Sequence, residues 1–273
     1  MDLLTIPPFM LPLVVTFLAF TITLLYGCRE DIRERAVPVV MWYPAIIISV
    51  PLIIWFWYDL ISAGYLSYMI PLIPLIIFFT VSFYLFTHFH LVGMADAKAL
   101  IFITVFIPCF PFIPMGGYPP FGFDPFVFLP FSVLFNAVVI NLVIPVGLFF
   151  INIVRGNTAP LPYLFLGYPV SGETIEDQFG IVMEEFSEED GVFKRRFIPI
   201  GAAIRDLVSG GKRVYTKNLK ENPKQYRKEL ETYRRAGKVW ISYGVPFLIP
   251  ITGGLISAVF IGDIFSLLLK AAL

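Results

Sequence analysis

Along this chain long apolar runs alternate with short polar breaks, and one polar block stands apart toward the C-terminus. A bilayer span needs about 20 apolar residues. Six runs meet that length: 9–27, 38–57, 69–87, 97–115, 126–154 and 240–262. Each is read as a membrane helix. Many of the 23 prolines fall inside these runs. In a soluble helix interior they would argue against the assignment. Within a membrane they are tolerated, because neighbouring helices and polar side chains re-satisfy the freed carbonyls. The first run is expected to be a retained span: residues 1–10 carry no positive charge, and no small-residue cleavage site follows the apolar stretch.

The polar block, 155–239, is the one segment that reads as a soluble domain. Pro160, Pro162, Gly167 and Pro169 predict an extended loop at its start. Two runs rich in β-formers, 179–186 and 192–198, flank a polar stretch ending in Gly191, a hairpin pattern. Residues 223–235 read as a helix, with Asn222 at its start and Gly237 as its stop. The expected fold is therefore a membrane all-α protein of six transmembrane helices. A small cytoplasmic α+β domain is inserted between helices 5 and 6. Residues 1–154 hold helices 1–5, 155–239 the soluble domain, and 240–273 helix 6.

Composition agrees with this division. The 273 residues are 58% hydrophobic and 15% charged, against about 25% charged in a soluble domain. Mean hydropathy is +0.80. The charges also orient the spans. Arg29, Arg33 and Arg35 lie in the first loop, Lys98 in the third, and fifteen more Lys or Arg in the fifth, while the second and fourth loops have none. Positive loops stay cytoplasmic, so loops one, three and five are expected on the cytoplasmic side of the cell membrane and both termini outside. Within the soluble block, 173–190 is acidic and 194–238 basic. The basic half suits anionic lipid headgroups. Net charge is zero, and no nucleic-acid partner is expected.

Few residues carry chemistry. Cys28 and Cys109 are expected at different depths, so no disulfide is predicted. Without a pair of Cys-x-x-Cys motifs or a His-Glu-x-x-His, a zinc site of either kind is excluded. No metal or other cofactor is expected. No Gly-x-Ser-x-Gly elbow is present. Ionisable groups at membrane depth are costly and mark function. Asp31 ends the first span and Asp96 begins the fourth, with two full spans between them, so both carboxylates come to the same membrane face. Two carboxylates in one partly desolvated site share a proton. Such a pair supplies a base to activate water and an acid for the leaving group, as an aspartyl peptidase requires. Each is open to a plainer reading, Asp31 most of all, as a loop acid paired with Arg29, Arg33 or Arg35.

The segment Gly93-Met94-Ala95-Asp96-Ala97-Lys98 resembles the Gly-x-Gly-Asp signature of the type IV prepilin and archaeal preflagellin peptidases, in which x-Lys often follows. The stretch from Asp31 to Val37-Pro38 is similar to that family's first catalytic segment. The resemblance extends to 131–136 and to Gly244-Val245-Pro246-Phe247, and so spans most of the membrane region. Ala95 stands where the second glycine is usual. The cysteine-cluster domain and the methyltransferase activity usual in bacterial members have no counterpart here, which points to the archaeal branch.

The resemblance implies an aspartyl endopeptidase with Asp31 and Asp96 as its catalytic pair. Gly93, Ala95, Lys98, Gly244, Pro246 and Phe247 would support the pair or the substrate. The implied partner is a preflagellin or prepilin-like membrane precursor, whose short basic leader is removed at the cytoplasmic face without N-methylation. Gly253 and Gly254, with Gly244, Pro246 and Pro250, are read as irregular backbone or a kinked helix near that level. Glu184, Glu185, Glu188 and Glu189 are read as an attraction for the leader. Two other readings stand beside this one. A presenilin-like intramembrane protease would share the Asp pair. A polytopic transporter would be expected to show repeated halves, which this chain lacks.

Overall fold

The computed structural model describes residues 10–89, 91–115, 128–189, 192–209, 213–244, 246–264 and 267–268. The chain divides into two compact units, Met1–Asn141 with Pro246–Leu273, and Leu142–Val245.

The first unit is helical. It contains α1 (Leu11–Glu34), α2 (Trp42–Ser62), α3 (Leu66–His88), α4 (Met94–Phe106), the start of α5 (Leu129–Val154) and α10 (Leu248–Phe260). Among the described residues, four helices are long and apolar enough to cross a membrane: Leu11–Glu34, Val39–Ser62, Ile70–His88 and Leu129–Val154. Their outward side chains are apolar and bare, among them Ile22, Ile47, Ile54, Ile70 and Phe78. Water would penalise so large an apolar surface, whereas lipid solvates it. The protein is a membrane protein. Pro51, Pro71, Pro74 and Pro145 all lie inside helices.

The expected fourth and sixth runs are only partly helical. Helix α4 stops at Phe106 because Pro108 disfavours helical backbone at Ile107, which leaves the helix at φ −134°. The expected loop at 116–125 lies outside the described residues. The first residues of 240–262 form a strand instead, because Val239, Trp240 and Ile241 are buried in the second unit. Their apolarity reports a buried strand there, not the start of a span.

Helix α1 buries Leu13, Phe17, Phe20, Leu24 and Gly27, a stripe with helical spacing. Phe20 stacks on Phe106 of α4, centroids 5.5 Å apart. Phe17 meets Phe260 of α10 edge-on at 5.9 Å. Helix α5 lies against α10 through two devices. A β-carbon on Gly254 would sit 2.5 Å from the Val133 carbonyl oxygen, so only a glycine lets the backbones approach. The buried Asn136 donates to Ser257 Oγ (3.0 Å) and to the Gly262 carbonyl (2.9 Å), and its Oδ1 accepts the Ile264 N–H (2.8 Å). Gly253 and Gly254 both lie within the regular helix α10.

The second unit mixes helices and strands. Residues 161–166, expected as loop, form α6 (Leu161–Leu166), because proline is preorganised for the first helical turn and Pro162 sits there. Strand β1 (Gly167–Ser171) pairs antiparallel with β4 (Lys238–Ser242), and β2 (Glu184–Glu189) with β3 (Val192–Phe197). The hairpin thus starts at Glu184, later than the apolar run, because Ile181 and Val182 bridge to Tyr215 and Ile241 instead. Helices α7 (Ile200–Ser209), α8 (Thr216–Glu221) and α9 (Arg227–Ala236) follow β3. Asn222 ends α8 rather than starting α9, and Gly237 stops α9 at φ 74°. Val170, Ile175, Val182, Leu219, Leu230, Tyr233, Val239 and Ile241 form the core.

Candidate functional site

Helix α1 does not stop where the apolar run ends. It continues through Arg29–Glu34, so Asp31 stands on the helix and not in a loop. Counting on from Leu24 by helical spacing, Cys28 and Asp31 extend the buried stripe. Asp31 is half-buried. The helix ends on Arg35, whose N–H bonds the Asp31 carbonyl at 3.1 Å and whose φ of 51° is left-handed. A non-glycine residue rarely takes that conformation. Here it folds the chain back and brings the Arg35 cation into the field of the Asp31 carboxylate.

Asp96 occupies the first turn of α4, three residues after the Gly93 cap. A carboxylate is favoured there by the unpaired N–H groups of a helix start. Gly93 has ordinary extended backbone, φ −60° and ψ 143°, so backbone conformation does not require glycine. Space does: a β-carbon at Gly93 would lie 2.7 Å from Asp96 Oδ2. Ala95 is half-buried beside it, and Ala97, Ala99 and Leu100 are buried behind it.

The packing of α1 on α4 brings the two acids together. Phe20 precedes Asp31 by eleven positions, and Phe106 follows Asp96 by ten. With the rings stacked and the helices antiparallel, a rise of about 1.5 Å per residue carries both carboxylates to one level. Asp96 lies in the field of the Asp31 carboxylate. The Cys28 thiol lies in the field of both. Its Sγ is 3.2 Å from Oγ1 of Thr252 on α10.

Of the other residues singled out, Lys98 is half-buried. It is two positions beyond Asp96, so it points to another face of α4. Pro246 is buried and Phe247 caps α10 while packing on the first unit's core. Gly244 belongs to the second unit, where a β-carbon would touch the Phe179 carbonyl at 3.4 Å. Glu184 is buried and already engaged. Its Oε1 accepts from Arg195 Nε (3.0 Å) and Nη2 (2.7 Å), and its Oε2 from the Trp240 N–H (2.8 Å). Glu185 pairs with Arg196 at 3.4 Å. The Glu188 and Glu189 side chains lie outside what is described. Cys28 and Cys109 are both free thiols.

The second unit holds a cavity of about 380 Å³ lined by Val182, Glu184, Phe186, Asp206, Arg213 and Tyr233 with others. Its charges are largely matched within the protein: Glu184 with Arg195, Glu185 with Arg196, and Arg213 with Asp206 at 3.7 Å. The carboxylate pair of the first unit is the stronger candidate for chemistry.

Sequence reasoning missed Cys28 and Thr252, and named Arg35 only as one of three bases that could pair with Asp31. The first was within reach, since it precedes Asp31 by one helical turn. Thr252 lies 224 positions from its partner, a separation no local pattern encodes.

Comparison with known proteins supports the same region. Residues 18–150 match the model described as the type IV leader peptidase family. Residues 159–264 match the archaeal peptidase A24 C-terminus, type II. No curated protein gives a significant match.

Proposed function

Because the chain belongs to the type IV leader peptidase family, we propose that it is an aspartyl endopeptidase working through Asp31 and Asp96. The observation that supports this is that Asp96, in the first turn of α4, lies in the field of Asp31, in the last turn of α1. With one proton between them, the ionised carboxylate takes a proton from water as the oxygen attacks the scissile carbonyl carbon. The protonated one supplies its proton as the C–N bond breaks and the amine leaves.

The substrate of this reading is a preflagellin or prepilin-like precursor, cut between its short basic leader and the apolar helix that follows, with no N-methylation step. Six spans complete the topology, the short helices α4 and α10 being the two beyond the four long ones. The charge pattern supports a cytoplasmic position for the pair and for 155–239, with both termini outside. Gly93 and Ala95 leave room for the Asp96 carboxylate. Lys98 lies toward the headgroups, and Gly244, Pro246 and Phe247 on the approach to α10 support the substrate.

The test is cleavage of a membrane-inserted precursor with a basic leader by the purified full-length protein. Asp31→Asn and Asp96→Asn should each abolish cleavage while the protein remains folded. Full activity in either variant would overturn the assignment.

A further inference from the structure

Thr252 has one hydroxyl proton, and it is directed to the Leu248 carbonyl at 2.8 Å. The contact between Cys28 Sγ and Thr252 Oγ1 at 3.2 Å therefore has a defined direction: the thiol donates and the hydroxyl accepts. This bond joins α1 to α10 three residues before Asp31. One residue earlier, Gly27 removes the side chain that would hold the helices apart. A β-carbon there would lie 2.8 Å from Leu248 Cδ2 and 2.5 Å from Met41 Cε. At the far end the same two helices meet through Phe17 and Phe260. The apolar contacts fix how close α1 and α10 come. The polar one, at the level of the carboxylates, fixes how α1 is turned about its axis.

We propose that Cys28 and Thr252 form a clamp that positions Asp31 against Asp96. The proposal rests on the reading of that pair as the peptidase centre. Neither clamp residue is catalytic; both act through Asp31. Rotation of α1 by a few tens of degrees would swing Asp31 away from Asp96, since both Cys28 and Asp31 lie on the stripe facing the helix interface. A thiol suits the position because it donates a hydrogen bond without adding charge. It stands in the field of both carboxylates, where a further anion would disturb a pair that must hold a single proton.

The experiment measures kcat and KM against pH for the full-length protein in lipid vesicles. The probe substrate is a synthetic peptide with a short lysine-rich leader followed by an apolar helix. Cys28→Ala and Thr252→Val remove the bond. Each should lower kcat about tenfold or more with KM unchanged, and displace the pH–rate profile. Cys28→Ser and Thr252→Ser keep donor and acceptor and should stay within about threefold of the parent. The Cys28→Ala/Thr252→Val double variant should lose no more than either single variant, because one bond is removed in each case.

Wild-type kcat in Cys28→Ala, or Cys28→Ser falling as far as Cys28→Ala, would overturn the clamp. So would an activity loss that keeps the parental pH profile and simply follows a lowered melting temperature. Cleavage by Asp31→Asn would instead strike the reading of the pair. An inactive Asp31→Asn beside a fully active Cys28→Ala would remove the clamp alone.

Discussion

The Asp96 carboxylate folds back over Gly93 so closely that a β-carbon at residue 93 would lie 2.7 Å from Oδ2. The clashing atom is the free end of a side chain, not backbone. A methyl group there therefore displaces the carboxylate rather than breaking the helix start. Gly93→Ala is expected to lower kcat about tenfold or more, since displacements on the ångström scale are enough for that. The melting temperature of the protein should stay near the parent's. A fully active Gly93→Ala would show that the Asp96 rotamer is not set by the room above residue 93.

Much of this arrangement was legible in the chain. The stripe Leu13, Phe17, Phe20, Leu24 continues to Cys28 and Asp31 by periodicity alone. The two spans between Asp31 and Asp96 return the chain to one level. Other features were not, and each has a physical reason. The charged stretch Arg29–Glu34 looks like loop, yet it is helical, because charged residues at a helix end cost little where they reach polar surroundings. The run at 240–262 has the hydrophobicity of a span throughout. Only pairing with β1 distinguishes Val239–Ile241 as a strand, and pairing across about 70 positions leaves no local mark. The acidic run around Glu184 reads as solvated, whereas strand alternation turns Glu184 inward onto Arg195 and the Trp240 amide.

That inward carboxylate makes a stability prediction for the second unit. The Glu184 side chain is 1% exposed, and Arg195 is 46% exposed. Removing the carboxylate strands the buried Trp240 N–H more than it harms the half-solvated guanidinium. Glu184→Ala should therefore destabilise the unit by about 2–4 kcal/mol. Arg195→Ala leaves the buried carboxylate without its counter-charge and should cost about as much, whereas Glu184→Gln retains an acceptor for Trp240 and should cost less than Glu184→Ala. The rate of trypsin cleavage within 155–238 in the full-length protein reads this order. Equal resistance in Glu184→Ala and the parent would sink it.

Tyr233 predicts a pH dependence in the same unit. Burial, and secondarily the neighbouring Glu229 charge, push its hydroxyl well above the ordinary tyrosine value. The folded state then holds its proton when the unfolded chain has released it. The stabilising contribution is fully present below about pH 10, the unfolded value. It is lost as pH rises from there through the raised folded-state value. Alkaline unfolding followed by protease sensitivity should be steeper in the parent than in Tyr233→Phe, which has no proton to lose. Identical pH profiles for the two would remove Tyr233 as the cause.

The two adjacent glycines of α10 predict opposite outcomes for one substitution. A β-carbon on Gly253 would meet Ile140 Cδ1 at 3.2 Å, the mobile tip of a side chain that can turn aside. On Gly254 it would meet the Val133 carbonyl oxygen at 2.5 Å and the Ala137 nitrogen at 2.8 Å. Those atoms belong to the backbone of α5, so the helices themselves must separate. Separation would also draw Asn136 away from Ser257, Gly262 and Ile264, leaving buried polar groups unpaired at about 1–3 kcal/mol each. Both glycines sit in regular helix, so replacing either with alanine gains helix propensity of about 1 kcal/mol. Gly253→Ala should therefore be neutral or slightly stabilising in a thermal melt of the detergent-solubilised protein. Gly254→Ala should melt markedly lower. Equal melting temperatures for the two variants would mean that α5 and α10 do not rely on the close approach at Gly254.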